Sequence, residues 1–341
     1  MKIGIVGAGA MGGLLAVRLS LSGEAVTVVD RGAHLRAIQQ NGLKLVHADG
    51  SEEIATALRA VATCAEAGTQ DLVFLAVKAN QIAPLAPELS TMFHDDTPVI
   101  PIQNGLPWWY FQNFSGPHNG YQLRTADPDG VIAAHIATAR IIGCVVYPAG
   151  ELIAPGIVKH VEGDRLPIGE LDGSETERVK RIAEILTSAG LKSPIIPDIR
   201  SEIWLKLWGN LSFNPISALT HATLVDVCQD PTTRELAGEM MREAQAIGEK
   251  LGATFRVPLE KRIAGAEKVG KHKTSTLQDV EAGRAIEIDA LIGSVKELGE
   301  LTGVKTPHID AVYALMTLLA KTMESARAKI VLQPIPAEVA A

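Results

Sequence analysis

Cysteine is scarce in this chain, with three in 341 residues. Cys64, Cys144 and Cys228 are odd in number and far apart, and they have neither the spacing of a zinc site nor the density of a disulfide scaffold. No metal is therefore expected, and a reducing compartment is the simplest setting. Aromatic residues make up only 4% against a hydrophobic content of 47%, which makes the protein aliphatic-rich. Positive charge is in deficit: 32 Lys and Arg stand against 39 Asp and Glu, a formal net charge of −7. That balance argues against a nucleic-acid partner and gives no reason to expect a membrane surface. No apolar run reaches the length of a membrane span, and the N-terminus enters a strand directly instead of showing the basic start and long apolar centre of a signal peptide. A cytoplasmic protein is expected. Internal repeats and low-complexity tracts are lacking as well.

The chain is long enough for two domains. It opens on an apolar strand, Lys2 to Val6, then Gly7-Ala8-Gly9-Ala10-Met11-Gly12, a helical pattern through Leu14, Leu15, Val17 and Leu19, and a second strand, Val26 to Val29, closed by Asp30. Gly7 permits the tight turn, Gly9 lets a pyrophosphate approach bare backbone, and Gly12 lets the helix pack closely on the strand. The helix N-terminus then offers free N–H groups and a positive dipole end to phosphates. The spacing alone is weak in a chain with 31 glycines. Its position between an N-terminal strand and a helix, answered by an acidic residue closing the next strand, makes it a dinucleotide signature.

Helix-like and strand-like segments alternate after Asp30. They run through Ala33–Asn41, Leu43–Val46, a polar hairpin at Asp49-Gly50-Ser51, Asp71–Val77, Gln81–Met92 and Pro98–Ile102. Ligands of open α/β sheets lie beyond the carboxyl ends of strands, so Lys78 and Asn104 fall on the same rim as the glycine loop. A Gly/Pro-rich loop over 112–130 precedes a helix at Val131–Ala139. Strand-like runs follow at Ile141–Tyr147, Gly156–Val161, Arg165–Ile168 and Ser193–Ile196, with a helix at Glu175–Ala189. From Ile199 onward helical periodicity takes over, through Ser201–Asn214, Pro231–Leu251, Ser275–Gly299 and His308–Lys329. The expected fold is α/β: a Rossmann-type doubly wound sheet over 1–198, an all-helical domain over 199–330, and a frayed tail over 331–341.

Lys206, Asn210 and Asn214 recur every four residues, which puts an amine and two amides on one stripe of a helix. The stripe reads either as a solvated polar face or as the wall of a crevice. Trp204, Leu205, Leu207, Trp208, Leu211 and Phe213 surround it and favour the crevice. A second polar-rich helix is expected over Ser275–Asp289. Most of its charged members, Glu281 and Arg284 included, read as solvated surface, whereas Glu287 stands between Ile286 and Ile288, where an inward carboxylate would suit a lysine.

The chain resembles the ketopantoate reductases (2-dehydropantoate 2-reductases) over almost its whole length. The likeness rests on the glycine motif with Arg31 after the second strand, Val77-Lys78-Ala79 with Gln81, and Gln103-Asn104-Gly105. It continues with Trp204-x-Lys206-x-x-x-Asn210-x-x-x-Asn214-Pro215, and with Ser275-x-Leu277-Gln278-Asp279 ahead of Glu287-Ile288-Asp289. The resemblance implies an NADPH-binding domain, a helical domain closing over a small 2-keto acid, and a monomer or homodimer. It implies Lys206 as general acid, Glu287 as the residue that holds and tunes it, and Asn104 beside nicotinamide and substrate. Asn210, Asn214 and Ser275 become the substrate-binding groups, and Gly7, Gly9, Ala10, Met11, Gly12, Asp30, Arg31, Lys78 and Asn104 contact the cofactor.

Two features depart from that pattern. Asp30 suits the free ribose hydroxyls of NAD(H) and repels a 2′-phosphate, whereas Arg31 and Lys78 suit NADP(H); a turn role in Asp-Arg-Gly is a third reading of Asp30. NADP(H) is the expected cofactor, with NAD(H) as the alternative. Trp108-Trp109-Tyr110-Phe111 reads either as a cap on the sheet edge or as the wall of a pocket for a bulkier substrate. The second choice would make the chain an NAD-dependent D-2-hydroxyacid dehydrogenase of branched or aromatic 2-keto acids. A non-catalytic NAD(P)-sensing regulator is the alternative from another class.

Overall fold

The computed structural model describes residues 1–333; of the tail expected to fray, 331–341, the part from position 334 lies outside the described residues. Two compact units form, Met1–Glu202 and a second beginning at Ile203. In the first, β1 (Lys2–Val6), α1 (Ala10–Leu21), β2 (Ala25–Val29), α2 (Gly32–Asn41), β3 (Leu43–Val46), β4 (Glu52–Ala55) and β5 (Arg59–Val61) follow one another. Next come α3 (Cys64–Ala67), β6 (Leu72–Leu75), α4 (Ile82–Leu89) and β7 (Val99–Pro101). The unit continues through α5 (Val131–His135), β8 (Ile142–Cys144), β9 (Ala149–Ala154), β10 (Ile157–Glu162), β11 (Ile168–Glu170) and α6 (Glu177–Ser188).

Five strands pair in parallel in the order β5-β2-β1-β6-β7. Every residue of β6 is buried, as are the last four of β1 and of β2, which is why they read as continuous apolar runs. The chain winds outward from β1 through β2 to β5, then returns to β6 on the other side of β1. The strand order therefore reverses between β1 and β6, where open α/β sheets bind ligands.

A second, mixed sheet, β4-β3-β10-β9, and a two-stranded one, β11-β8, complete the unit. The sequence reading missed β9, whose Leu152 and Ile153 are exposed and give no buried-strand signal. The strand expected at Ser193–Ile196 is reduced to isolated bridges, Arg165 to Lys192 and Ile168 to Ile195. Pro194 and Pro197 lack the N–H groups a ladder needs.

The aromatic segment is core. Trp108, Trp109, Tyr110 and Phe111 are 5%, 1%, 0% and 0% exposed. Phe111 packs edge-on against Tyr110, Phe114 and Tyr121, and the Trp109 ring lies against Gly143. This burial assigns the four rings to packing of the first unit.

All three cysteines are buried and free of disulfides. Burial pushes the thiols of Cys64 and Cys228 up to about 11. Native protein at pH 8 is expected to leave all three thiols unreacted with a thiol-specific chromogenic disulfide over several minutes, and to release three equivalents in denaturant. Rapid native reaction of Cys64 would contradict this packing.

In the second unit no strand occurs among the described residues. Helix α7 (Ile199–Thr220) contains the boundary between the units, and α8 (Leu224–Gln229), α9 (Pro231–Lys250), α10 (Leu259–Lys268), α11 (Ser275–Ala282), α12 (Ser294–Thr302) and α13 (Pro307–Ala326) follow. Trp208 donates its indole N–H to the Met241 carbonyl at 2.8 Å and stacks obliquely on Phe255, fixing α7 to α9. The sequence reading ends this helix at Asn214, one residue before Pro215. The helix runs on because Ile216 and Ala218 are buried, and their burial outweighs one missing backbone hydrogen bond. No helix among the described residues is long and apolar enough to cross a membrane.

The helix expected over Ser275–Gly299 is broken. Gly283 adopts the left-handed conformation (φ 69°), its N–H bonds to the Val280 carbonyl, and the Arg284 N–H bonds to the Asp279 carbonyl. This pair of bonds terminates α11 after Ala282. Arg284 Nε adds a 2.7 Å bond to the Asp279 carboxylate. Helical geometry resumes only near Ile288, with a π turn over Asp289–Gly293.

Candidate functional site

The glycine loop joins the end of β1 to α1. Gly7 has φ +91°, a conformation L side chains rarely adopt, and an added Cβ would lie 2.8 Å from Val77 Cγ1. At Gly12 an added Cβ would stand 1.8 Å from the Gly7 carbonyl oxygen, so only glycine allows the helix to start this close to the strand. At Gly9 an added Cβ meets nothing within 4 Å, so the loop is open on that side. No side chain caps α1 and no acidic residue sits in its first turn, so neither competes with an incoming anion for the helix N-terminus. A bare, open loop on an uncapped helix end fits a dinucleotide pyrophosphate.

Asp30 follows β2. One carboxylate oxygen accepts the Ala8 N–H at 2.7 Å and the other accepts the Arg31 N–H at 2.7 Å. Asp30 therefore ties the glycine loop to the end of β2, a contact the sequence reading did not foresee, and holds the first amide of its own Asp-Arg-Gly turn. Arg31 is the exposed residue preceding α2. Lys78 follows β6 and is half-buried, and its N–H is held by the Gln81 side chain at 3.1 Å. Asn104 follows β7 and precedes Gly105, whose φ is +89°. Beside it the Gln103 amide donates to the Leu75 and Val77 carbonyls at 2.7 and 3.2 Å, tying the turn after β7 to the end of β6. Gly7, Gly9, Ala10, Met11, Gly12, Lys78 and Asn104 thus lie at the carboxyl ends of three adjacent parallel strands.

In the second unit, every residue of α7 from Ser201 to Ala218 is buried except Lys206 and Asn210, which are half-buried. A solvated polar face would leave both exposed. Asn214, only 8% exposed, donates its amide to the Ser275 hydroxyl at 3.3 Å, so two of the predicted substrate-binding residues meet across α7 and α11. Ser275 itself is exposed at the first turn of α11, behind the Thr274 cap. Glu287 corrects the sequence reading: it lies on the loop after α11 and not on a helix with Ser275, because Gly283 ends that helix four residues earlier. It is half-buried.

One residue at the loop escaped sequence reading. His34, on the buried face of α2 with Leu35 and Ile38, contacts the Ala8 carbonyl at 2.8 Å. A single histidine among apolar neighbours gives no sequence signal that separates it from packing.

Comparison with known proteins places this geometry. The family described as "Ketopantoate reductase PanE/ApbA" matches residues 3–108, and its C-terminal part, "Ketopantoate reductase PanE/ApbA C terminal", matches 198–320. A 2-dehydropantoate 2-reductase of Mesorhizobium japonicum is 53% identical over 321 residues, covering 94% of this chain and 98% of that protein. The crystal structure of a Ralstonia solanacearum protein assigned to the ketopantoate reductases superposes with a TM-score of 0.89 at 40% identity, covering 94% of this chain and 98% of that one. D-mandelate dehydrogenase, solved with NADH and anilino(oxo)acetate, has a TM-score of 0.81 at 23% identity over 95% of this chain and 99% of its own. That likeness shows the fold alone. The chain belongs to the ketopantoate reductase family, and with it to the pyridine-nucleotide-dependent oxidoreductases that act on a CH–OH group.

Proposed function

We propose that the chain reduces 2-dehydropantoate to pantoate with NADPH, the step that feeds pantothenate and coenzyme A synthesis. The observation that carries this reading is the polar line Lys206–Asn210–Asn214 on an otherwise buried helix, joined to Ser275, in a member of this family. When bound, the reduced nicotinamide supplies hydride to the 2-keto carbon. Negative charge then grows on the carbonyl oxygen. In this reading the Lys206 ammonium stabilises that charge and delivers the proton, and Glu287 holds the amine. Asn210, Asn214 and Ser275 supply neutral donors suited to the hydroxyl and carboxylate of a small 2-keto acid. Asn104 borders nicotinamide and substrate.

For the cofactor, both Asp30 oxygens accept backbone N–H groups, which gives the carboxylate a loop-closing role while leaving each oxygen a further acceptor site. Arg31 and Lys78 then favour the 2′-phosphate of NADP(H). The burial of Trp108 to Phe111 supports a packing role for these rings over the wall of a pocket for a bulky aromatic substrate. A panel of 2-keto acids assayed with each reduced cofactor tests the proposal. The highest kcat/KM is expected for 2-dehydropantoate with NADPH, by about tenfold or more over NADH. Higher efficiency with NADH overturns the cofactor choice, and an aromatic 2-keto acid turned over faster overturns the substrate. Absence of turnover with every acid would point to the sensing protein.

A further inference from the structure

Ala8 sits at the apex of the glycine loop, fully buried, and both of its backbone polar groups are held by side chains. Its N–H donates to Asp30 Oδ2 at 2.7 Å, and its carbonyl lies 2.8 Å from His34 Nε2. His34 is 9% exposed, and its other ring nitrogen, Nδ1, lies 2.9 Å from the Gly156 N–H. A backbone amide can only donate, so Nδ1 is the acceptor and carries no proton; Nε2 therefore carries the hydrogen and donates to Ala8.

The far end of this relay is anchored. Gly156, with φ +77°, forms the turn between β9 and β10, and its carbonyl accepts the Lys44 N–H of β3 at 2.9 Å. A Cβ at Gly156 would stand 3.1 Å from Ala37 of α2, so the turn is pressed against the helix that carries His34. The imidazole thus links the loop between β1 and α1 to the second sheet.

What that link does follows from peptide geometry. In a trans peptide the carbonyl of one residue and the N–H of the next point in opposite directions. Holding the Ala8 carbonyl inward on His34 turns the Gly9 N–H outward, at the one glycine of the motif around which there is open space. We infer that His34 is a positioning residue for the dinucleotide: through the Ala8–Gly9 peptide it presents the Gly9 N–H to the pyrophosphate. The inference rests on the reading of this loop as the cofactor site and adds a residue outside the motif to it.

The test uses two substitutions that separate the two halves of the imidazole. His34→Gln keeps an N–H donor near the Nε2 position, within reach of Ala8, and removes the acceptor facing Gly156. His34→Asn keeps an acceptor near the Nδ1 position and cannot reach Ala8. Dinucleotide dissociation constants by fluorescence titration, KM and kcat, and thermal midpoints are measured for both variants and the parent. His34→Asn is expected to raise the dissociation constant and KM for the dinucleotide by about tenfold, with kcat at saturation within about twofold, while His34→Gln stays within about threefold of the parent. Equal weakening in both variants that tracks the loss of thermal midpoint would overturn the inference, since it describes a strut for the β9–β10 turn alone. So would parent-like binding by His34→Asn. If either variant fails to fold, side-chain NMR of the parent decides: a hydrogen on Nε2 is expected, and one on Nδ1 overturns the proposed relay. A parent that binds neither NADPH nor NADH refutes the cofactor site itself, a result distinct from any difference between variants.

Discussion

Lys206→Ala is expected to lower kcat by about 10²- to 10⁴-fold while leaving the dinucleotide dissociation constant within about twofold of the parent. Two losses coincide in this variant. In the proposed mechanism the growing alkoxide loses a nearby cation, and the proton that completes the alcohol must come from solvent. Neither term touches the glycine loop, which is built from other residues at the other end of the sequence, so binding and turnover separate. Lys206→Arg sharpens the argument: it keeps a positive charge, but guanidinium gives up a proton far less readily and needs more room on a helix whose neighbours are buried. The arginine variant is expected to recover less than a tenth of the lost rate. Rapid-mixing kinetics with dinucleotide titrations on the same samples check both statements. A kcat for Lys206→Ala within about tenfold of the parent would refute the general-acid assignment.

Much of this site was legible because its signals are local. A glycine whose Cβ would collide with a carbonyl oxygen at 1.8 Å, as at Gly12, is demanded by one turn of backbone and shows as a fixed letter at a fixed spacing. The buried strands β1, β2 and β6 were equally plain, because burial on both faces leaves nothing but apolar residues. The stripe at Lys206, Asn210 and Asn214 needed only helical periodicity. Features that failed to show depend on partners distant in sequence. His34 acquires its role from Ala8 and from Gly156, a separation of 122 residues in the second case. Glu287 was placed on a helix running from Ser275 to Asp289, whereas the left-handed backbone at Gly283 and the Arg284–Asp279 contacts end that helix after Ala282. Asp30 carried a signal that pointed two ways, since a carboxylate closing a strand serves a ribose or a loop amide equally well until the loop is in view. The aromatic run from Trp108 to Phe111 was ambiguous for a related reason: amphipathic rings line pockets and fill cores, and only burial separates the two.

That burial sets up a large stability effect at a residue outside the candidate site. The Arg200 guanidinium donates to three backbone carbonyls, Tyr110 at 2.8 Å, Leu171 at 2.6 Å and Gln112 at 2.7 Å, and lies over the rings of Tyr110 and Phe114. Burial pulls its pKa below the ordinary arginine value, so the charge is held at a cost that these carbonyls and rings offset. Its planar fork suits three acceptors at once in a way that a single ammonium cannot. In Arg200→Leu the carbonyls of the irregular segment beginning at Tyr110 lose their donors where water is largely excluded, with a combined cost of about 3 kcal/mol or more. For a unit of this size that corresponds to a fall in thermal midpoint of roughly 10 °C. Arg200→Lys is expected to recover less than half of the loss. Calorimetry on the three proteins, with kcat measured at a temperature where all are folded, separates stability from chemistry. The reductase rate should change little, because none of these contacts involves a residue proposed to touch substrate or cofactor. A thermal midpoint for Arg200→Leu within about 2 °C of the parent would mean that the aromatic segment is held by its own packing and not by this cation.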